Sequence, residues 1–222
     1  MVKAVIFDID GTLIDSVDLH AAAWREALRH FGHDLPQERI REQIGKGGDL
    51  LMAALLPEDE VRRRGKEIEE YRLELFKREY LPQVKPFPMV RELFERIEAG
   101  GLRIALASSA KKEELERYKE IAGIADLLEA ETSSDDAERS KPHPDIFEAA
   151  LARLEGVEAA EAVAVGDTPY DAQAAGKVGL RTIGLLCGGW PERDLREAGC
   201  VAIYRDPADL LRHYDRSPLA RH

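Results

Sequence analysis

Asp8 and Asp10 stand one residue apart in "AVIFDIDGTLIDS" (4–16), behind a short apolar run and ahead of Gly11-Thr12. Val5, Ile6 and Phe7 predict a strand with both faces covered, which places Asp8 at its carboxyl end. Side chains at i and i+2 of extended backbone share a face, so both carboxylates point the same way while Gly11 and Thr12 turn the chain. Two like charges that close need a cation between them or a shared proton. A solvated turn is the plain alternative for this motif taken alone. A calcium loop is excluded, because it requires a third oxygen ligand before its glycine and a closing glutamate, and neither is present.

Other polar residues fall at comparable places. "RIALASS" predicts a strand ending at Ser108 and Ser109, and "AVAVGD" predicts another ending at Asp167, with Asp171 four residues further on. Serines and aspartates at strand ends often only cap the next helix. Their appearance at three strand ends of one chain instead predicts a shared crevice. Lys141, in "RSKPHPDIF", is followed by two prolines that stiffen the backbone before the next helix. An isolated lysine is ordinarily a surface residue; here the prolines direct its approach.

The elements that must position these groups follow from periodicity. Residues 16–31 carry Leu19, Ala23, Ala27 and Phe31 at helical spacing, with Gly32 as a stop. Further helices are expected at 37–44, 49–56 and 58–80, the last with a charge run that reads as a solvated face. "LPQVKPFP" cannot continue a helix and reads as a linker. Residues 16–82 thus form a helical insertion. Beyond it, strands and helices alternate: a helix at 89–99, the strand ending at 109, a helix at 111–121, a short strand near 127–130, a helix at 145–154, the strand ending at Asp167, a helix at 171–178, and strands "LRTIGLL" and "VAIY". Such alternation predicts an α/β fold, a doubly wound parallel sheet with helices on both faces, whose ligand site lies beyond the carboxyl ends of the strands.

The chain has 222 residues, 44% of them hydrophobic, and a formal net charge of −11. That charge argues against a broad nucleic-acid or anionic-membrane surface, so an anionic ligand must meet a local positive site. Cys187 and Cys200 form no C-x-x-C pair and read as small buried residues of a reducing compartment. The start, "MVKAVIFD", is too short in apolar residues for a secretory signal, and no run is long enough to span a membrane. A cytoplasmic protein, monomer or homodimer, without nucleic-acid or membrane partners is expected. Trp190 in "CGGWPERDL" is expected to pack on its own fold.

Together these residues resemble the haloacid dehalogenase-like phosphohydrolases, with four motifs in order: "DIDGT", Ser108, Lys141 and "GDTPYD". The insertion, with "DS" after the first motif, "SKPHPDIF" and "AAGKVG", is similar to the phosphoglycolate phosphatase and β-phosphoglucomutase branch. The resemblance implies a Rossmann-like core (1–15 and 83–222) and a small α-helical cap (16–82) that selects substrate. It implies a Mg²⁺-dependent phosphatase acting on a small phosphorylated metabolite, of phosphoglycolate or sugar-phosphate type. Asp8 would be the nucleophile that forms an aspartyl-phosphate, and Asp10 the general acid and base. Asp8, Asp10 through its backbone carbonyl, and Asp167 would hold the metal, with Asp171 beside them as a partner of ligand water or lysine. Ser108 and Lys141 would stabilise the transferring phosphoryl group, and Thr12, Ser109 and their turns would add to its cradle. In the cap, His20 is expected to contact substrate or assist the proton shuttle. Lys46, in the glycine-rich "IGKGGDLL", is expected in a specificity loop, since the P-loop spacing is absent. A β-phosphoglucomutase-like mutase, which resembles the chain at His20 and Lys111, is the alternative. The arginine expected there to grip a distal phosphate falls on Gly48, which favours a phosphatase. A catalytically silent binding module is a third reading, disfavoured by the intact acidic cluster.

Overall fold

The structure is a computed structural model and describes residues 1–220. Its first strand, β1 (Ala4–Phe7), is fully buried. β2 (Ile14–Asp15) leads into the insertion, made of α1 (Val17–His30), α2 (Gln37–Arg41), α3 (Gly48–Leu55) and α4 (Glu58–Leu75), the last running on into a π-helical turn at Phe76–Tyr80. β3 (Lys85–Pro86) leads out. The alternating part follows as α5 (Val90–Ala99), β4 (Arg103–Ala107), α6 (Lys112–Ala122), β5 (Ala130–Thr132), α7 (Asp145–Arg153), β6 (Ala162–Gly166), α8 (Pro169–Val178), β7 (Arg181–Leu185), α9 (Glu192–Glu197), β8 (Cys200–Tyr204) and α10 (Pro207–Arg212).

The main sheet has the order β5-β4-β1-β6-β7-β8 with every neighbour parallel. From β1 the chain winds outward through β4 and β5, then returns to β6 and winds the other way. The order therefore reverses between β1 and β6, and a crevice opens at their carboxyl ends. Alternate residues of β1 feed two cores. Val5 and Phe7 join the side built by α5, α6 and α10, where Phe7 stacks on Phe94 at 4.8 Å. Ala4 and Ile6 join the side built by α7 and α8. Alanines at 105, 107, 164, 174 and 175 let those helices approach the sheet closely.

The insertion has a hydrophobic core of its own, in which Trp24, Leu28, Ile40, Leu51, Met52 and Ile68 are buried. Its entry and exit are tied together, since β2 and β3 pair antiparallel and Phe87 N–H donates to the Leu13 carbonyl at 2.9 Å. Several side-chain bonds hold the insertion to the alternating part, among them Lys77 to Glu113. Arg41 donates to the Gly188 carbonyl at 2.9 Å, Tyr170 Oη to the Glu42 carbonyl at 2.8 Å, and Ser140 to Asp49 at 2.8 Å.

Several boundaries differ from the sequence reading. The strand expected at 127–130 lies at Ala130–Thr132, because Ala125–Leu127 forms a 3₁₀ turn and pairing with β4 begins only where Glu129 N–H donates to the Ile104 carbonyl at 2.9 Å. The linker after the insertion contains β3, whose two residues, one of them proline, carry no strand pattern. α9 and α10 were not expected. Both are short and highly charged, and α10 is held by Asp206 accepting from the Asp209 N–H at 2.7 Å rather than by an apolar face alone.

Candidate active site

Asp8 closes β1, and its N–H donates to the Val165 carbonyl at 2.9 Å, so β6 fixes the backbone from which the carboxylate projects. The carboxylate is buried between two donors. Lys141 Nζ donates to Oδ1, and Thr12 Oγ1 lies 3.1 Å from Oδ2. The same Thr12 oxygen lies 2.9 Å from Asp167 Oδ1, bridging the ends of β1 and β6. Lys141 Nζ also donates to Asp171 Oδ1 at 2.8 Å. The other Asp171 oxygen accepts from Thr168 N–H at 3.0 Å and Thr168 Oγ1 at 2.7 Å, while Thr168 Oγ1 accepts from Asp171 N–H. This reciprocal cap starts α8 and locks Asp171 in place.

Two glycines close around Asp167. A Cβ at Gly11, whose φ is +77°, would lie 2.5 Å from Asp167 Oδ2, and a Cβ at Gly188 would lie 1.6 Å from it. Backbone alone fits there.

Burial pushes the Asp8 carboxyl up to about 7 against the pull of Lys141. Burial, then the nearby Asp171 and Asp8 charges, drives Asp167 well above the usual carboxylate range. Lys141 is desolvated, yet Asp171 and Asp8 together outweigh that and hold it above the ordinary lysine value. Asp10 behaves oppositely. Burial raises its pKa, but His20, Ser16 and Lys141 more than offset it and hold Asp10 below its usual value.

That difference has a visible source. Asp10 Oδ1 accepts from Ser16 Oγ at 2.6 Å and faces His20 Nε2 at 2.9 Å. His20 Nε2 also lies 3.0 Å from Tyr118 Oη, which donates to Glu114 at 2.5 Å. The imidazole is stacked on Phe76 with centroids 4.0 Å apart. Of the two roles expected for His20, its ring nitrogen is turned toward Asp10.

A cavity of about 250 Å³ opens over these groups between the insertion and the strand ends. Asp8, Asp10, His20, Lys46, Ser109 and Arg72 are among its walls. Ser108 is buried beneath it beside Lys141, and its Oγ accepts from the Ala110 N–H at 3.1 Å, which leaves its O–H free to donate. Lys46 donates to Gln43 at 2.6 Å and sits over the Tyr170 ring at 4.7 Å, with burial lowering its pKa. Lys111 lines the same cavity and pairs with Asp135 at 3.5 Å. Trp190 meets Tyr170 edge-on at 5.6 Å, so it does pack on its own fold.

Four residues here carry no functional signal in the sequence. Tyr118 and Glu114 lie one turn apart on α6, a spacing that signals a shared face but no chemistry. Glu69 and Arg72 belong to the charge run taken for a solvated face; they line the cavity instead, because α4 turns one side inward. Nothing in an alternating acid-base run marks which turn is covered.

Carboxylate oxygens of Asp8, Asp167 and Asp171 lie within 4.8 Å of one another. Both Asp171 oxygens are already engaged, whereas Asp167 Oδ2 is buried without a hydrogen-bond partner. An orphaned, desolvated carboxylate oxygen beside a second carboxylate is an oxygen-only donor set of the kind that suits a small hard cation such as Mg²⁺.

The haloacid dehalogenase-like hydrolase family model matches residues 5–185. The chain is 30% identical over 207 residues to a phosphoglycolate phosphatase of Nitrosospira multiformis, covering 91% of each chain. It is 29% identical over 215 residues to a phosphorylated carbohydrates phosphatase of Thermotoga maritima, covering 94% of this chain and 96% of that one. A crystal structure of a hydrolase from Pseudomonas syringae superposes with a TM-score of 0.89 at 31% identity, covering 97% of this chain and 99% of that one. No helix among the described residues is long and apolar enough to cross a membrane.

Proposed function

We propose that this chain, which belongs to the haloacid dehalogenase-like hydrolase family and is a phosphatase, hydrolyses a small phosphorylated metabolite of phosphoglycolate or sugar-phosphate type through an aspartyl-phosphate on Asp8. The observation that carries this reading is the placement of the Asp8 carboxylate. It is buried between Lys141 and Thr12 on the floor of the cavity, beside the partnerless Oδ2 of Asp167.

A carboxylate attacks phosphorus only if ionised and if the phosphate's negative charge is offset. Lys141 works toward both from one side, pulling against the burial that raises the Asp8 pKa and placing its positive charge where the phosphoryl oxygens would arrive. Ser108 and the turn around Ser109 supply neutral donors to those oxygens. Asp8 and Asp167, with the Asp10 backbone carbonyl, would hold Mg²⁺. When bound, that ion keeps the two carboxylates ionised and withdraws charge from the phosphoryl group.

Asp10 handles the proton. At rest His20, Ser16 and Lys141 hold it ionised, the form that accepts a proton from attacking water. A phosphate dianion beside it raises its pKa, which gives the form that protonates the leaving alcohol. Asp8 and Asp10 differ in environment enough to divide nucleophile from acid and base. The insertion closes the cavity and supplies its outer wall, which supports a role in choosing the leaving group.

The test is inorganic phosphate release across a panel of monoesters, including phosphoglycolate and β-glucose 1-phosphate, with Mg²⁺ and with EDTA. Release from one or a few esters, abolished by EDTA, is expected. Glucose 6-phosphate formed on adding a bisphosphate primer, without phosphate release, would replace this reading with a mutase.

A further inference from the structure

Arg72, on the last turn of α4, lines the cavity, and two of its nitrogens, Nε and Nη1, are shut from solvent without a hydrogen-bond partner. Its guanidinium stacks 5.0 Å from the Trp24 ring and 5.8 Å from the Phe76 ring. Glu69, one turn earlier, borders Gly48 instead, where a Cβ would lie 3.1 Å from Glu69 Oε1. The lysines of the cavity are engaged, Lys46 with Gln43 and Lys111 with Asp135, and Lys141 beneath it is held by Asp8 and Asp171.

A buried donor left unmade is costly, and more so when it is charged. Two aromatic faces hold the guanidinium plane, so its N–H groups are fixed in direction at no further loss of freedom. Such a group is pre-organised to receive an anion in a charge-assisted hydrogen bond. Its place relative to the reaction is set by a short ladder. Asp10 faces His20 at 2.9 Å and His20 stacks on Phe76 at 4.0 Å, while Arg72 lies one helical turn before Phe76 and over Trp24, itself one turn beyond His20 on α1. An anion at Arg72 therefore sits at the end of the substrate away from the ester under attack.

We propose that Arg72 binds a second anionic group, carboxylate or phosphate, on the non-reacting end of the substrate, so that the site selects doubly anionic phosphate esters over neutral alcohol phosphates. The inference rests on the phosphatase reading. In the reaction the bond between phosphorus and the alcohol oxygen breaks and the water oxygen bonds to phosphorus. One water proton ends on the alcohol, the other stays with the phosphate, and the second anion is unchanged.

The test compares kcat/KM for phosphoglycolate and for ethylene glycol bisphosphate with that for 2-hydroxyethyl phosphate, in Mg²⁺, for the wild type, Arg72→Met and Arg72→Lys. Methionine keeps an apolar stem against Trp24, and lysine keeps the charge. The wild type is expected to prefer one of the two doubly anionic esters, and which of them shows whether the group is carboxylate or phosphate. Arg72→Met should reduce that preference by about 10- to 100-fold, the worth of one charged hydrogen bond, chiefly through KM. Arg72→Lys should retain part of it. A wild type indifferent to the second anion, or a preference intact in folded Arg72→Met, would overturn the inference. p-Nitrophenyl phosphate separates the two readings, since no phosphate release by the wild type from that ester or any other would overturn the phosphatase reading itself.

Discussion

Lys141 Nζ donates to both Asp8 and Asp171, the latter at 2.8 Å, so one buried ammonium ties the end of β1 to the first turn of α8. Three charges in a desolvated space are tolerable only as a set.

Lys141→Met should therefore damage fold and chemistry together. It leaves two carboxylates buried without their cation, a loss of about 3–5 kcal/mol by analogy with other broken buried pairs. Thermal unfolding and phosphate release measured on one preparation check this. A variant as stable as the wild type would show that Lys141 is not what holds the two aspartates.

Gly188→Ala should act through Asp167. The added methyl would fall 1.6 Å from Asp167 Oδ2, so that carboxylate must move from its place beside Asp8. The Mg²⁺ concentration for half-maximal activity should rise at least tenfold while circular dichroism stays native. An unchanged Mg²⁺ requirement would remove Asp167 from the ion's ligands.

The metal-free protein should become less stable as pH rises. Asp8 is pushed up to about 7 and Asp167 is raised as well, so between about pH 4 and 7 the folded state holds protons that the unfolded chain has released. Stability from these groups is full below the unfolded pKa and is lost as pH rises through the folded one. In EDTA the Tm should fall from pH 5 to pH 8, and added Mg²⁺ should raise it more at pH 8 than at pH 5. A Mg²⁺ effect equal at both values would mean that the ion does not bind at these carboxylates.

His20→Ala should lower kcat by about 10- to 100-fold on every ester, aryl phosphate included, because its ring nitrogen orients Asp10 rather than reaching for substrate. His20→Asn, which keeps a donor, should recover part of the loss. A loss confined to particular substrates would return His20 to the specificity wall.

The strand ends were legible because each is a run of buried β-formers stopping at a polar residue. Val5–Phe7 before Asp8, and Val163–Val165 before Asp167, carry their own boundaries. The short pieces were not. β3 and α9 are held by pairing and by neighbours distant in sequence, which leave no local periodicity. Among site residues, Asp8, Lys141 and Asp171 could be anticipated from motif and position. Arg72 could not, because its meaning depends on Trp24 lying across from it, 48 positions earlier in the sequence. Tyr118 is buried in the core, yet its hydroxyl also reaches His20 at 3.0 Å.

The central claim is a covalent phosphoryl group on Asp8. Its most direct test is acid quenching of the Mg²⁺-loaded enzyme within milliseconds of mixing with phosphoglycolate or p-nitrophenyl phosphate, followed by peptide mass spectrometry. One added phosphoryl group is expected on the peptide carrying Asp8, removed by hydroxylamine and absent from Asp8→Asn. Burst release of phosphate with no adduct on that peptide, or turnover by Asp8→Asn at the wild-type rate, would contradict it.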